Sequence, residues 1–208
     1  MTAMKAPLPH DEQDRVSTLH RLKLLDTGAE EVFDDIVSLA AHLCSAPIGL
    51  MSLVDTHRQW FKARVGLDVQ ETTRDASFCA HAILKPDDIL VVEDATKDDR
   101  FAENPLVIGE PKIRFYAGVP LVTADGHPLG TLCVIDRKPR RLTAEQESAL
   151  RALCRSLVTE LELRRATQDL VRLNESLDRR VREQTAAGRE SEGKMRALVQ
   201  WTVTSRKN

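Results

Sequence analysis

Two short stretches constrain the fold more than any other part of this chain. Residues 48–55 read Ile-Gly-Leu-Met-Ser-Leu-Val-Asp, and residues 129–136 read Leu-Gly-Thr-Leu-Cys-Val-Ile-Asp. Both are apolar at odd and even positions alike. Successive side chains of a strand point to opposite faces, so strands of this kind need cover on both sides. In the second stretch, Leu129, Thr131, Cys133 and Ile135 are expected on one face, with Leu132 and Val134 on the other. Such a sheet needs helices on one side and the irregular middle of the chain on the other.

The neighbouring sequence supplies partners. Thr56 and His57 turn the chain, and residues 59–65 return as a second strand, an antiparallel hairpin ended by Gly66. Asp125-Gly126 is a hairpin turn joining a strand at 113–122 to the one at 129–136. Pro120 has no amide to donate, so it belongs near the sheet's edge or at a bulge. A further short strand is expected at 89–92.

Helical spacing precedes and follows the sheet. Val16, Leu19, Leu22 and Leu25 recur at helical intervals, with Asp14 as a candidate cap. Residues 30–44 read as a second helix whose stripe is Val32, Phe33, Ile36, Leu39, Ala40 and Leu43. Ser77 caps a short helix at 77–84, and residues 94–111 form a long polar loop holding one helical turn. Thr143 followed by Gln146 is a capping box. The long helix it opens carries Leu150, Leu153, Leu157 and Leu161 against the domain. It continues as a heptad stripe of Leu163, Ala166, Leu170, Leu173, Leu177 and Val181, which predicts a parallel dimer, until Gly188 and Gly193 interrupt the pattern. Helices, then an antiparallel sheet, then a helix make the fold class α+β.

Charge and composition exclude several functions. Thirty Lys and Arg face 32 Asp and Glu, a net charge of -2, which gives no broad footprint for nucleic acid or anionic lipid. The most apolar run is far too short to span a bilayer, and the start lacks a secretory signal pattern, so the expectation is cytoplasmic. Four scattered cysteines with no CxxC pair argue for reduced thiols rather than a disulfide framework or a zinc site.

An ordered set of motifs carries a resemblance. Leu24-Leu-Asp-Thr27, Val54-Asp55 with Gln59-Trp-Phe61, Ser77-Phe-Cys-Ala80, Asp99-Arg-Phe101, Arg114-Phe-Tyr-Ala-Gly118 with Pro120-Leu121, and Gly130-Thr-Leu-Cys-Val-Ile-Asp136 together resemble the GAF domain family of bacterial signalling proteins. The resemblance implies a six-stranded antiparallel sheet, a helical layer on one face, and loops and short helices that enclose a small ligand on the other. The charged helix after it resembles the linkers of sensor histidine kinases and diguanylate cyclases. Residues 191–199 resemble the opening of a PAS domain. The expected organisation is a flexible start at 1–11, a GAF domain at 12–160, a coiled-coil signalling helix at 161–187, and a truncated PAS-like tail at 188–208.

Candidate ligand contacts are Phe78, Cys79, His81, Arg100, Phe101, Tyr116 and Cys133. Cys79 and His81 form a Cys-x-His pair, but two ligands do not make a metal site, and no metal is assigned. Trp60, Phe61, Phe101, Phe115 and Tyr116 line a pocket or fill the core; the Tyr116 hydroxyl needs a partner, which makes it a better ligand candidate than the phenylalanines. Arg100 forks onto an anionic ligand or pairs within its own acidic loop of Asp94, Asp98 and Asp99. No G-x-S-x-G, HExxH or phosphate-cradling glycine loop is present, so no catalytic residue and no cofactor is assigned. The function expected is sensory and regulatory, in signal transduction of the two-component kind. The expected partners are a small ligand, a second copy through the C-terminal helix, and a kinase or cyclase for output. The alternatives are a thiol-based redox enzyme on the same fold, resembling free methionine sulfoxide reductases through Cys79 and Cys133, and a ligand-free dimerisation scaffold.

Overall fold

The computed structural model describes residues 4–205; within the last helix, residues 186–188, 190–192 and 195–205 are described by backbone course alone. The chain parts into two packing units, Met1–Leu163 and Arg164–Asn208. In the first, six strands make one antiparallel sheet in the order β3-β2-β1-β6-β5-β4. They are β1 (Ile48–Val54), β2 (Arg58–Val65), β3 (Glu71–Thr73), β4 (Leu90–Val92), β5 (Phe115–Val122) and β6 (Pro128–Asp136). The helices are α1 (Glu12–Arg21), α2 (Glu31–Leu43), α3 (Phe78–Ala82), α4 (Pro105–Ile108) and α5 (Ala144–Ser205). The α+β architecture expected from the sequence is the one observed.

The sheet separates two cores, as its two-faced strands demand. Under one face Phe33, Val37 and Ala40 of α2 and Leu150, Leu157 and Leu161 of α5 meet Met51, Trp60, Leu132 and Val134. Over the other, α3, α4 and their loops cover Ile48, Leu50, Tyr116, Cys133 and Ile135. Each strand of the centre thus reaches both layers through alternate residues.

Two bulges reset the alternation. Val122 pairs with Pro128 and Leu121 with Gly130, so Leu129 has no partner in the ladder. The extra residue turns Leu129 to the helical face beside Leu132 and Val134, not toward Cys133 as strict alternation predicts. A second irregularity falls where Ser52 pairs with Phe61 and Met51 with Ala63. It leaves Lys62 as the extra residue, and its buried ammonium donates to Glu30 Oε1 at 2.6 Å, the Gly28 carbonyl at 2.7 Å and Thr27 Oγ1 at 2.8 Å.

The stripe of α2 also differs from expectation. Phe33 and Ala40 are buried as expected, but Val32, Leu39 and Leu43 are exposed, and Val37 and Ala41 are buried in their place. The reason is close approach: a Cβ on Gly49 would lie 3.0 Å from both the Ala41 Cβ and the Val37 carbonyl oxygen. Only the small-residue face of α2 can come that near β1. Asp14 lies in the first turn of α1 and does not cap it; the cap position is Asp11. The 94–111 loop holds two helical turns, at Ala95–Lys97 and α4, rather than one. Pro120 lies beyond the end of β4, whose pairing stops at Gly118, so its missing amide costs no ladder bond there.

The other two caps are as the sequence implies. Ser77 Oγ accepts from the Ala80 amide at 3.0 Å. Thr143 Oγ1 accepts from the Gln146 amide at 3.2 Å while Gln146 Oε1 accepts from the Thr143 amide at 3.1 Å, both halves of the capping box. The α5 backbone stays helical through Gly188 and Gly193. The side chains of residues 195–199, part of the PAS-like segment, lie outside the described residues. No helix among the described residues is long and apolar enough to cross a membrane.

Candidate functional site

The face of the sheet opposite the long helices carries a buried polar cluster inside an apolar shell. Ser52 of β1 and Thr131 of β6 sit directly opposite one another in the ladder, each a polar residue inside an apolar stretch of its strand. Cys79 on α3 is lowered onto them by the Ser77 cap. Thr131 Oγ1 donates to Cys79 Sγ at 3.1 Å, and the Tyr116 hydroxyl donates to the same sulfur at 3.4 Å. Gln59 of β2 accepts from the hydroxyls of Ser52, at 3.3 Å, and Ser77, and donates to Thr72 Oγ1 at 2.7 Å. Gly118 makes the tyrosine's position available: a Cβ there would fall 2.2 Å from the Tyr116 hydroxyl oxygen, so the ring lies along its own strand over a residue with no side chain.

This cluster forms one side of a cavity of about 40 Å³. Its walls are apolar side chains of β1, β2, β5 and β6, with Leu67 and Val69 from the β2–β3 loop and Leu106 and Pro111 from the segment around α4. Asn104 fastens that segment: its Oδ1 accepts from the Leu106 amide, capping α4, and its amide donates to the Ala76 carbonyl at 3.1 Å.

Of the seven residues singled out in the sequence, Phe78, Cys79 and Tyr116 line this cavity. Cys133 is fully buried beside Cys79 in the same core. Phe101 stacks on Phe78 with ring centroids 3.9 Å apart, outside the lining. His81 and Arg100 point elsewhere. The imidazole meets Phe101 edge-on at 4.8 Å, its Nε2 bonds the Met4 carbonyl at 3.1 Å, and burial holds its pKa below the usual value. The Arg100 fork closes on Asp98, with Nε to Oδ1 at 2.9 Å and Nη2 to Oδ2 at 2.6 Å, so a local ion pair occupies the donors that an anionic ligand would use. Among the described residues no three His, Cys, Asp or Glu side chains converge as a metal site.

The thiols differ in character. Burial opposes ionisation of Cys79, but the neighbouring Cys133 thiol and the hydroxyl donors Thr131 and Tyr116 make it the sulfur of the pair that ionises first. Cys133 is held protonated by its bond toward Cys79 and by burial. Burial pushes Cys154 up to about 12, and it spends its S–H on the Pro120 carbonyl at 3.3 Å. All four cysteines are free and buried.

Sequence reasoning missed Ser52, Gln59, Ser77 and Thr131 as members of this cluster. A polar residue at the middle of an otherwise apolar strand was the available signal for Ser52 and Thr131.

Comparison with known proteins bears on the fold. The family profile described as GAF domain matches residues 28–161. A protein of Pseudomonas aeruginosa named as a cyclic di-GMP phosphodiesterase is 51% identical over 144 residues, 69% of this chain; the chain spans only 24% of that relative's length. Among solved structures, the GAF domain from an Acinetobacter phosphoenolpyruvate-protein phosphotransferase superposes with a TM-score of 0.55 at 22% identity, over 74% of this chain and 95% of that one. The blue-light absorbing form of the Thermosynechococcus elongatus PixJ GAF domain does so with a TM-score of 0.55 at 18% identity, over 78% and 95%. At such identities the superpositions establish the fold alone.

Proposed function

The chain belongs to the GAF domain family, and from that premise we propose that it is a non-catalytic regulatory module of bacterial signal transduction, working in the cytoplasm. It binds a small ligand or partner over the sheet face that carries Phe78, Cys79 and Tyr116. It relays the change through a C-terminal helix that pairs with the same helix of a second copy. Residues 12–160 are the sensory domain and 161–187 the paired helix; output falls to a kinase, a cyclase or another enzyme of the same signalling kind. The phosphodiesterase activity in the Pseudomonas relative's name belongs, on this reading, to the remainder of that protein.

One observation carries the reading. Leu163, Leu170, Leu173, Leu177 and Val181 are 48–67% exposed along one helix whose earlier leucines, Leu150, Leu157 and Leu161, are fully buried against the sheet. A sustained exposed heptad stripe is what a coiled-coil partner covers. The sheet gives the coupling a physical route, because Ile135 lines the cavity and Cys133 packs in the same core, while Leu132 and Val134, between and beside them, belong to the core shared with α5. A packed strand cannot shift on one face alone. The ligand must still favour one helix arrangement over the other, whatever its affinity.

Light scattering on the full chain tests the pairing. The double variant Leu170→Glu/Leu177→Glu sets four carboxylates into the seam of each pair and is expected to weaken dimerisation roughly a hundred-fold or more. Its domain, which uses neither leucine, should melt as before. A chain that stays equally dimeric refutes the helix as the main interface.

A second reading rests on the Cys79–Cys133 pair. Two apposed thiols of unlike acidity are what thiol redox chemistry needs. Reduction of free methionine sulfoxide by the reduced chain would establish that reading, and lack of turnover removes it.

A further inference from the structure

The cavity over the sheet specifies more about its occupant than the existence of a ligand. Its lining holds no charged residue among the described residues. Its polar members, Gln59, Thr72, Cys79 and Tyr116, are bonded to one another or to the serines and threonine behind them. Among the described residues no buried side-chain nitrogen or oxygen lacks a partner. An ionic ligand would therefore lose its hydration with no counter-charge to meet it, a cost that excludes carboxylates, phosphates and ammonium groups from this space. A ligand recognised chiefly by hydrogen bonds would have to break bonds already made.

Size narrows the class further. The cavity of about 40 Å³ is well below the roughly 150 Å³ of a dry engineered cavity that holds benzene or xenon. Most of the wall is buried strand and cannot yield cheaply. The β2–β3 loop and the α4 segment can: Val69 is 50% exposed and Leu106 only partly buried, so an outward shift of these two side chains enlarges the space.

We propose that this cavity takes a compact, uncharged, mainly apolar molecule no larger than a single ring. This rests on the reading of the sheet face as the ligand site and names the ligand's chemistry. Anionic nucleotides and zwitterionic amino acids fall outside the class. The occupant contacts Ile48 and Leu50 on β1 and Ile135 on β6, the strands whose opposite faces pack on α2 and α5.

The test uses the full chain with benzene and xenon as apolar probes, and cyclic di-GMP, cyclic GMP and methionine sulfoxide as ionic ones. Isoleucine and leucine methyl resonances and the thermal midpoint report binding. Benzene and xenon are expected to shift the methyls of Ile48, Leu50, Ile113 and Ile135, with no response to the ionic probes. Val69→Trp, at an exposed loop position that leaves the strands alone, plugs the mouth and should weaken benzene binding roughly ten-fold or more by steric filling. Leu106→Trp plugs it from the opposite side and should do the same, which guards against a loss due to misfolding of one variant. Benzene binding untouched by both plugs overturns the inference, because the probe then sits elsewhere. An ionic probe that binds, is blocked by the plugs and is not matched by benzene overturns the ligand class but keeps the sheet face as a ligand site. Silence from all five probes also overturns it; the broader ligand reading falls only if a thermal-shift screen across a metabolite panel is silent as well.

Discussion

Glu12→Gln is expected to destabilise the domain by about 3–5 kcal/mol, the cost typical of stripping one partner from a buried ion pair. Glu12 opens α1 and holds two arginines at once. Arg15 forks onto it with Nε to Oε2 at 2.8 Å and Nη2 to Oε1 at 2.7 Å, and Arg74 approaches both oxygens from the far side, with Nη2 to Oε2 at 3.1 Å. Arg15 is completely buried and also donates to the Val54 carbonyl at 2.7 Å; Arg74 donates to the Asp55 carbonyl at 3.0 Å. The carboxylate thus ties α1 to the end of β1 and to the segment ahead of α3. Glutamine keeps the shape but leaves two guanidinium groups facing each other without a counter-charge. Urea unfolding followed by circular dichroism measures the loss, and a change below about 1 kcal/mol, the scale of an exposed pair, would show that solvent already screens the cluster.

The same carboxylate predicts an acid limb. Burial raises the Glu12 pKa, but the bonds to Arg15 and Arg74 outweigh it and hold the group down at about 2, against an ordinary value of 4.5. A folded-state pKa below the unfolded one adds stability that is complete above the ordinary value and disappears as pH falls toward the folded one. Part of the chain's stability should therefore drain away from about 4.5 down to about 2, and that part should be missing from Glu12→Gln.

Gly130→Ala is expected to cost at least about 3 kcal/mol, the upper end for overpacking, and to keep much of the chain from folding. Gly130 sits in β6 opposite Leu53 of β1 and Leu121 of β5, next to the bulge that turns Leu129. A Cβ there would lie 1.9 Å from the Ser52 carbonyl oxygen and 2.9 Å from the Leu53 Cα. Both obstacles are backbone in the centre of the sheet, and neither can move without opening the β1–β6 ladder. The missing side chain is what allows the two backbones to come this close. Ser52 and Thr131 of the polar cluster flank this point, so a partly folded variant should also lose their pairing. A thermal midpoint within a few degrees of the parent would contradict this account of the close approach.

Much of the fold was legible because its signals are local. The two-faced strands at Ile48–Val54 and Pro128–Asp136, the Asp125-Gly126 turn, the Ser77 cap and the Thr143–Gln146 box each follow from a few adjacent residues. What escaped depends on residues distant in sequence. The buried stripe of α2 follows from how closely Gly49 lets the helix approach, and the orientation of Leu129 from the ladder it leaves. The salt cluster of Glu12, Arg15 and Arg74 joins positions 62 residues apart, and no periodicity marks it. At the site, Phe78, Cys79 and Tyr116 were legible from motif spacing. Gln59, Leu67 and Val69 were not, since a cavity wall is set by how loops close over a sheet. Arg100 showed the limit of reading charge without geometry: the acidic loop around it supplies its partner, Asp98.

The most direct test of the regulatory reading is the distance between paired helices. Glu175 lies on the face opposite Leu170, Leu173 and Leu177, so a nitroxide on Glu175→Cys reports pairing without entering the seam, while the four native cysteines are buried. Pulsed electron spin resonance on the full chain should give one short interspin distance, as parallel helices in register with axes about 8–10 Å apart require. Adding Leu170→Glu/Leu177→Glu should erase it. A full chain that shows no interspin coupling at concentrations where signalling dimers form, or a coupling indifferent to those two glutamates, would contradict the paired helix and the relay built on it.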